Sequence, residues 1–167
     1  MQATALIVSG DASFAETMQG LLQGWGMTVA LSGESACLPG LGTEIVLLDI
    51  RQASNEGLHP LLAIREKMPE AEVILINRPD NIPLSIAGMQ AGATDELIAP
   101  FDTNSLKNSI SAALGRRKKR QGKKSLFRRF GDAMAAATFA QAGEFDTALS
   151  LLDINKNEGY PSKREKP

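Results

Sequence analysis

Five short apolar runs, each separated from the next by a stretch of helical spacing or of turn residues, constrain this chain more than any other feature. Thr4–Val8 (TALIV), Met27–Leu31, Glu44–Leu48 (EIVLL), Val73–Ile76 and Thr94–Ile98 have the length of strands, and the third is apolar enough for the middle of a sheet. Between them, Asp11 or Ser13 can cap a helix reaching about Gln23, which Gly24 and Gly26 end. Gly57–Met68 carries apolar residues at 58, 61, 62, 64 and 68, and Ile82–Ala91 and Thr103–Leu114 also read as helices. Ser32–Thr43, with Pro39 and three glycines, holds at most a short, weak helix. Parallel strands need crossovers, so the pattern predicts an α/β fold, a doubly wound five-stranded parallel sheet with helices on both faces and a helical C-terminal extension. In such sheets the functional crevice lies at the C-terminal ends of the strands. Those ends are Ser9-Gly10-Asp11, Asp49, Asn77-Arg78 and Ala99-Pro100.

The scarce residue types exclude several chemistries. Cys37 is the single cysteine, so no intramolecular disulfide or cysteine zinc cluster forms, and it reads as a packing or surface thiol. His59 is the single histidine, which disfavours a histidine metal site or a Ser-His-Asp triad, and before Pro60 it reads as solvated. Trp25, between two glycines, reads as a partly buried turn residue. No glycine-rich phosphate cradle follows the first strand, and no nucleophile–base pair or metal set is visible, so an enzyme is not expected. No apolar run approaches the ~20 residues of a membrane span. The start, MQATALIVSG, reads as a first strand rather than a signal peptide, and a cytoplasmic location is the expectation.

Residues 82–102 (IPLSIAGMQAGATDELIAPFD), 47–58 (LLDIRQASNEGL) and 6–18 (LIVSGDASFAETM) together resemble the receiver domain of two-component response regulators, over about residues 4–114. The resemblance implies a flavodoxin-like (CheY-like) fold, with Asp49 at the phosphoacceptor position and Gly57 closing its loop. It also implies where the chemistry is depleted. Receivers use an acidic pair for Mg²⁺, a Thr/Ser hydroxyl, a lysine and an aromatic switch residue; those positions carry Ser9 and Gly10, Asn77, Ala99 and Glu96 here. On that ground Asp49 is expected to be a relic carboxylate, not phosphorylated at a useful rate, and the chain a pseudo-receiver working by protein–protein interaction. The alternative keeps Asp49 as a working phosphoacceptor, with a histidine kinase as partner. No cofactor is expected unless Asp11 and Asp49 form a residual Mg²⁺ site; Asp11 otherwise caps its helix. Arg51 and Arg78 stand near enough to neutralise Asp49, with Arg51 expected to be solvated.

Charge divides the chain. Residues 1–115 carry a net charge of −8 and residues 116–167 a net charge of +7. Residues 116–130 hold nine Lys/Arg, led by Arg116, Arg117, Lys118, Lys119 and Arg120, and read as a basic linker or helix. The segment can dock on the acidic half or contact nucleic acid, which is the basis of a second alternative function. Residues 131–154 resemble one tetratricopeptide-like helical hairpin turning at Gly143, whose apolar Phe139, Phe145, Leu149 and Leu152 would meet a partner protein or a second copy. Residues 155–167 form a polar tail, expected to be disordered.

Overall fold

The computed structural model describes residues 3–33, 42–53 and 58–141. Its elements are β1 (Thr4–Val8), α1 (Ala12–Gly24), β2 (Thr28–Ser32), β3 (Ile45–Asp49), α2 (His59–Lys67), β4 (Glu72–Asn77), α3 (Ile82–Gln90), β5 (Asp95–Ile98) and α4 (Thr103–Gln141). The strands form one parallel sheet in the order β2-β1-β3-β4-β5. This is the doubly wound flavodoxin-like order, with the β1/β3 boundary as its switch point. The five expected strands are present, each with its bounds within a residue or two of the apolar run.

Strand side chains alternate faces, so each central strand serves two cores. Ala5, Ile7, Ile45, Leu47, Ile74 and Ile76 pack with Leu22 of α1 and with Leu106 and Ile110 of α4. Leu6, Val8, Val46, Leu48, Val73 and Leu75 face Leu61 and Ile64 of α2 and Leu84 of α3. These two layers hold β1, β3 and β4 rigid and fix the positions of the residues at their C-terminal ends.

Asp11 caps α1, accepting a hydrogen bond from Phe14 N at 3.0 Å on Oδ1. His59 is exposed at the start of α2, and Trp25 is half-buried at the end of α1. Gly57, and Cys37 and Pro39 of the segment expected to hold at most a weak helix, lie outside the described residues.

The last helix departs most from expectation, continuing past Leu114 to Gln141. Residues 115–130 contain no proline and are mostly Arg, Lys and Gln, strong helix formers that outweigh the cost of Gly115 and Gly122. Within the described residues the C-terminal extension is this single helix. The expected hairpin turn at Gly143, with Phe145, Leu149 and Leu152, lies outside them, and Phe139 is described only in its backbone. The chain forms two compact units, one ending at Lys118 and the other beginning at Lys119.

Candidate functional site

Asp49 ends β3 between the ends of β1 and β4, and only 7% of the residue is exposed. A buried carboxylate needs partners, and this one has several. Its Oδ2 accepts hydrogen bonds from Ser9 Oγ at 2.7 Å and Arg51 Nη2 at 2.8 Å. Its Oδ1 accepts from the backbone N of Arg51 at 3.1 Å and from Arg51 Nε at 2.9 Å. The guanidinium thus grips both oxygens in the two-pronged geometry that arginine favours. Burial pushes the Asp49 carboxyl up, but the Arg51 and Ser9 hydrogen bonds and the Arg51 charge outweigh it and hold the pKa below the usual value. Arg51 is pushed up in turn, chiefly by its hydrogen bond to Asp49.

The expectation that Arg51 is solvated is wrong. Besides Asp49 it pairs with Asp11 Oδ2 at 3.3 Å through the same Nη2, and its guanidinium lies 3.9 Å from the centroid of the Phe14 ring. Sequence reasoning placed Arg51 beside Asp49 but weighed it as a surface residue. The available signal was Phe14 with Asp11 on the first turn of α1, an aromatic face and a carboxylate that together can seat a guanidinium. Asp11 therefore serves both as helix cap and as ion-pair partner.

The remaining positions divide into two groups. Ser9 bonds Asp49 directly, and its hydroxyl also accepts from Asp11 N at 3.0 Å; the adjoining Gly10 is exposed. Ala99 lines a groove of about 450 Å³ with Phe14, Met18, Arg51, Arg78, Pro100 and Phe101. The Ala99–Pro100 peptide bond is cis. Asn77 is fully buried beside Asp49 in the sheet order but turns its amide away. Asn77 Nδ2 donates to Asn81 O at 3.2 Å, Ser85 Oγ at 3.0 Å and Glu96 Oε1 at 3.1 Å, and Ser85 Oγ donates to Glu96 Oε1. Asn77 and Glu96 thus form a polar cluster with Ser85, a residue that sequence reasoning missed.

A Mg²⁺ ion does not fit this arrangement. Such an ion takes oxygen ligands at about 2.0–2.1 Å in near-octahedral geometry. The point between Asp11 and Asp49 is already filled by Arg51 Nη2, and Ser9 and Gly10 bring no further carboxylate. Among the described residues, no group of three or more His, Cys, Asp or Glu stands together to hold a metal.

The expected basic contact also divides. Arg116 Nε donates to Oε2 of the fully buried Glu72 at 3.0 Å, with Asp95 3.8 Å from its Nη2. Arg117 lies 3.5 Å from Glu44 Oε1 and donates to Glu70 O at 2.8 Å. These partners lie at or beside the N-terminal ends of β3, β4 and β5, opposite Asp49. Lys118 and Lys119 are exposed. Among the described residues, no helix is long and apolar enough to cross a membrane.

No family model matches the chain. It is 32% identical over 119 residues to the transcriptional regulatory protein ZraR of Klebsiella oxytoca, covering 68% of this chain and 26% of that protein. It is 24% identical over 163 residues to the alginate biosynthesis transcriptional regulatory protein AlgB of Pseudomonas aeruginosa, covering 93% of this chain and 36% of that one. The chain thus spans about a quarter to a third of these curated relatives. The crystal structure of NtrX from Brucella abortus matches with a TM-score of 0.68 at 26% identity, over 75% of this chain and 30% of that one. A receiver domain protein from Methanospirillum hungatei matches with a TM-score of 0.60 at 19% identity, over 72% of this chain and 99% of that one, a likeness of fold.

These findings overturn the phosphorylation-independent, pseudo-receiver expectation. The similarity is to the transcriptional regulatory proteins ZraR and AlgB and to NtrX, and Asp49 is the centre of a network of ion pairs and hydrogen bonds rather than a relic. The error was to weigh the groups missing at five positions while reading the cation two residues after the aspartate as solvated. That the chain is not an enzyme agrees with these relatives, which are regulatory proteins.

Proposed function

We propose, from the CheY-like response-regulator receiver fold that this chain adopts, that it is a phosphorylatable regulator whose switch is Asp49. The observation that carries this reading is the Asp49 carboxylate itself, at the crevice end of β3, held ionised and oriented by Ser9 and Arg51. A carboxylate nucleophile must be deprotonated to attack phosphorus, and the donors that keep it so can also stabilise the charge on an incoming phosphoryl group. A groove lined by Arg51 and Arg78 opens beside the guanidinium that grips Asp49, and it is the proposed approach for a phosphodonor. A histidine kinase is the proposed donor, and a cytoplasmic location goes with it.

In this reading residues 1–115 are the switch and the segments beyond them carry the output to a partner protein or a second copy. Phe139, Phe145, Leu149 and Leu152 are the proposed contacts, within the segment 131–154 that follows the basic segment 116–130. The test is incubation with acetyl phosphate in Mg²⁺-containing buffer, followed by intact mass. Gain of one phosphoryl mass, lost in Asp49→Asn, is the expected result; an unmodified chain under all conditions would refute the proposal.

A further inference from the structure

The proposed reaction needs a cation beside Asp49, and the structure has one built in. We infer that Arg51 takes the place of the divalent metal, so that Asp49 exchanges its phosphoryl group without Mg²⁺. The inference rests on the phosphoacceptor reading above.

Three observations lead to it. First, Arg51 Nη2 stands between the two carboxylates, 2.8 Å from Asp49 Oδ2 and 3.3 Å from Asp11 Oδ2, and fills the space between them. Second, the guanidinium is oriented on three sides: Nε donates to Asp49 Oδ1, Nη2 is shared between Asp49 and Asp11, and the Phe14 ring covers its face. Such a group is preorganised, and preorganised charge is what a transition state of developing charge requires. Third, Arg51 also lines a groove that it shares with Arg78 and the small Ala99. A phosphoryl group entering there meets two guanidinium groups, and the Ala99 methyl leaves room for it.

The transfer balances with an acyl phosphate as donor. Asp49 Oδ2 forms a bond to phosphorus, the phosphorus–oxygen bond to the acyl group breaks, and the leaving carboxylate takes that electron pair. No proton moves. Nη2, the one guanidinium nitrogen shared between Asp11 and Asp49 Oδ2, turns to a phosphoryl oxygen, while Nε and the backbone N keep their hold on Oδ1. Arg78, which also lines the groove, supplies a second guanidinium for the remaining charge.

The experiment compares acetyl phosphate labelling of the full chain in EDTA and in millimolar Mg²⁺, read by intact mass over time, with melting curves under both conditions. Equal rates in both, no Mg²⁺-dependent rise in melting temperature, and a loss of about a hundredfold in Arg51→Gln are expected. Arg51→Lys, which keeps the charge without the two-pronged geometry, should recover part of the rate and shows that loss in the glutamine variant is not loss of the fold. Labelling that occurs only with Mg²⁺, together with stabilisation by Mg²⁺, would overturn this inference and leave Asp49 as phosphoacceptor. Full-rate labelling of Arg51→Gln in EDTA would also overturn it. Absence of labelling in both buffers would remove the phosphoacceptor reading and this inference together.

Discussion

The two ends of the sheet each bury a carboxylate against an arginine, and they do so to different ends. At the C-terminal end, Asp49 and Arg51 are two residues apart, bordered by an open groove, and Arg51 is divided between two carboxylates. At the N-terminal end, Glu72 is wholly buried, and its partner Arg116 comes from 44 residues further along the chain. The first pair is a local arrangement whose members can exchange partners. The second closes a long loop of chain and ties α4 to the start of β4. A buried ion pair adds little relative to an apolar pair of the same shape, but removing one member strands the other. The Glu72–Arg116 pair is therefore structural, and the Asp49–Arg51 pair is the one available for chemistry.

The largest effect should come from breaking the structural pair. Arg116→Ala leaves Glu72 buried without its guanidinium and should cost about 3 kcal/mol in chemical denaturation, the low end for a stranded buried charge because Arg116 itself is partly exposed. Adding Glu72→Gln should recover part of the loss. A cost under about 1 kcal/mol would remove the distinction between the two ends.

Next comes Arg51→Gln, which should cost about 2 kcal/mol near neutral pH, the scale of hydrogen bonds to a charged group. Its pH dependence carries a sign. The Asp49 pKa is depressed in the folded chain, so the stability it contributes is present above the unfolded value of about 3.9 and is lost as pH falls through the folded one. The gap in melting temperature between wild type and Arg51→Gln should therefore close in acid. A gap unchanged down to pH ~3 would mean that Arg51 stabilises through its packing on Phe14 and not through Asp49.

Why sequence reasoning reached the fold but misjudged the site follows from what each depends on. The sheet was legible because Thr4–Val8 and Glu44–Leu48 bury both faces, and continuous apolarity is a property of the run itself. Asp49 and Ser9 were legible by position. The role of Arg51 was not, because it depends on Phe14 and Asp11 meeting it from another element. Glu72 was hidden for the same reason: a charged residue at the start of a strand reads as solvated until Arg116 is brought onto it. The continuity of α4 was not legible because the basic run was left open between linker and helix, although arginine and lysine favour a helix.

A smaller effect isolates the hydroxyl from the guanidinium. Ser9→Ala removes one donor to Asp49 Oδ2 and should cost about 1 kcal/mol, the net value of one hydrogen bond, while Arg51 keeps the carboxylate ionised. The Asp49 pKa should rise, visible in the carboxyl carbon shift by NMR. No rise would assign the depression to Arg51 alone.

The smallest effect tests whether burial, rather than pairing as such, separates these ion pairs. Arg78 and Asp80 form a third pair at 3.1 Å, but their side chains are 55% and 68% exposed. Exposed pairs gain little Coulomb energy in water and lose side-chain freedom, so Asp80→Asn should leave stability unchanged within about 0.5 kcal/mol. The same substitution releases Arg78 from its ion pair with Asp80, which competes with an anion in the groove. Labelling of Asp49 by acetyl phosphate should then be as fast as in the wild type or faster, most visibly at low salt, where charge attraction is least screened. Slower labelling in Asp80→Asn would place Asp80, rather than Arg78, in the path of the donor. A stability loss above 1 kcal/mol would mean that an exposed pair at the end of β4 behaves like the buried ones, and the contrast drawn from burial would fail.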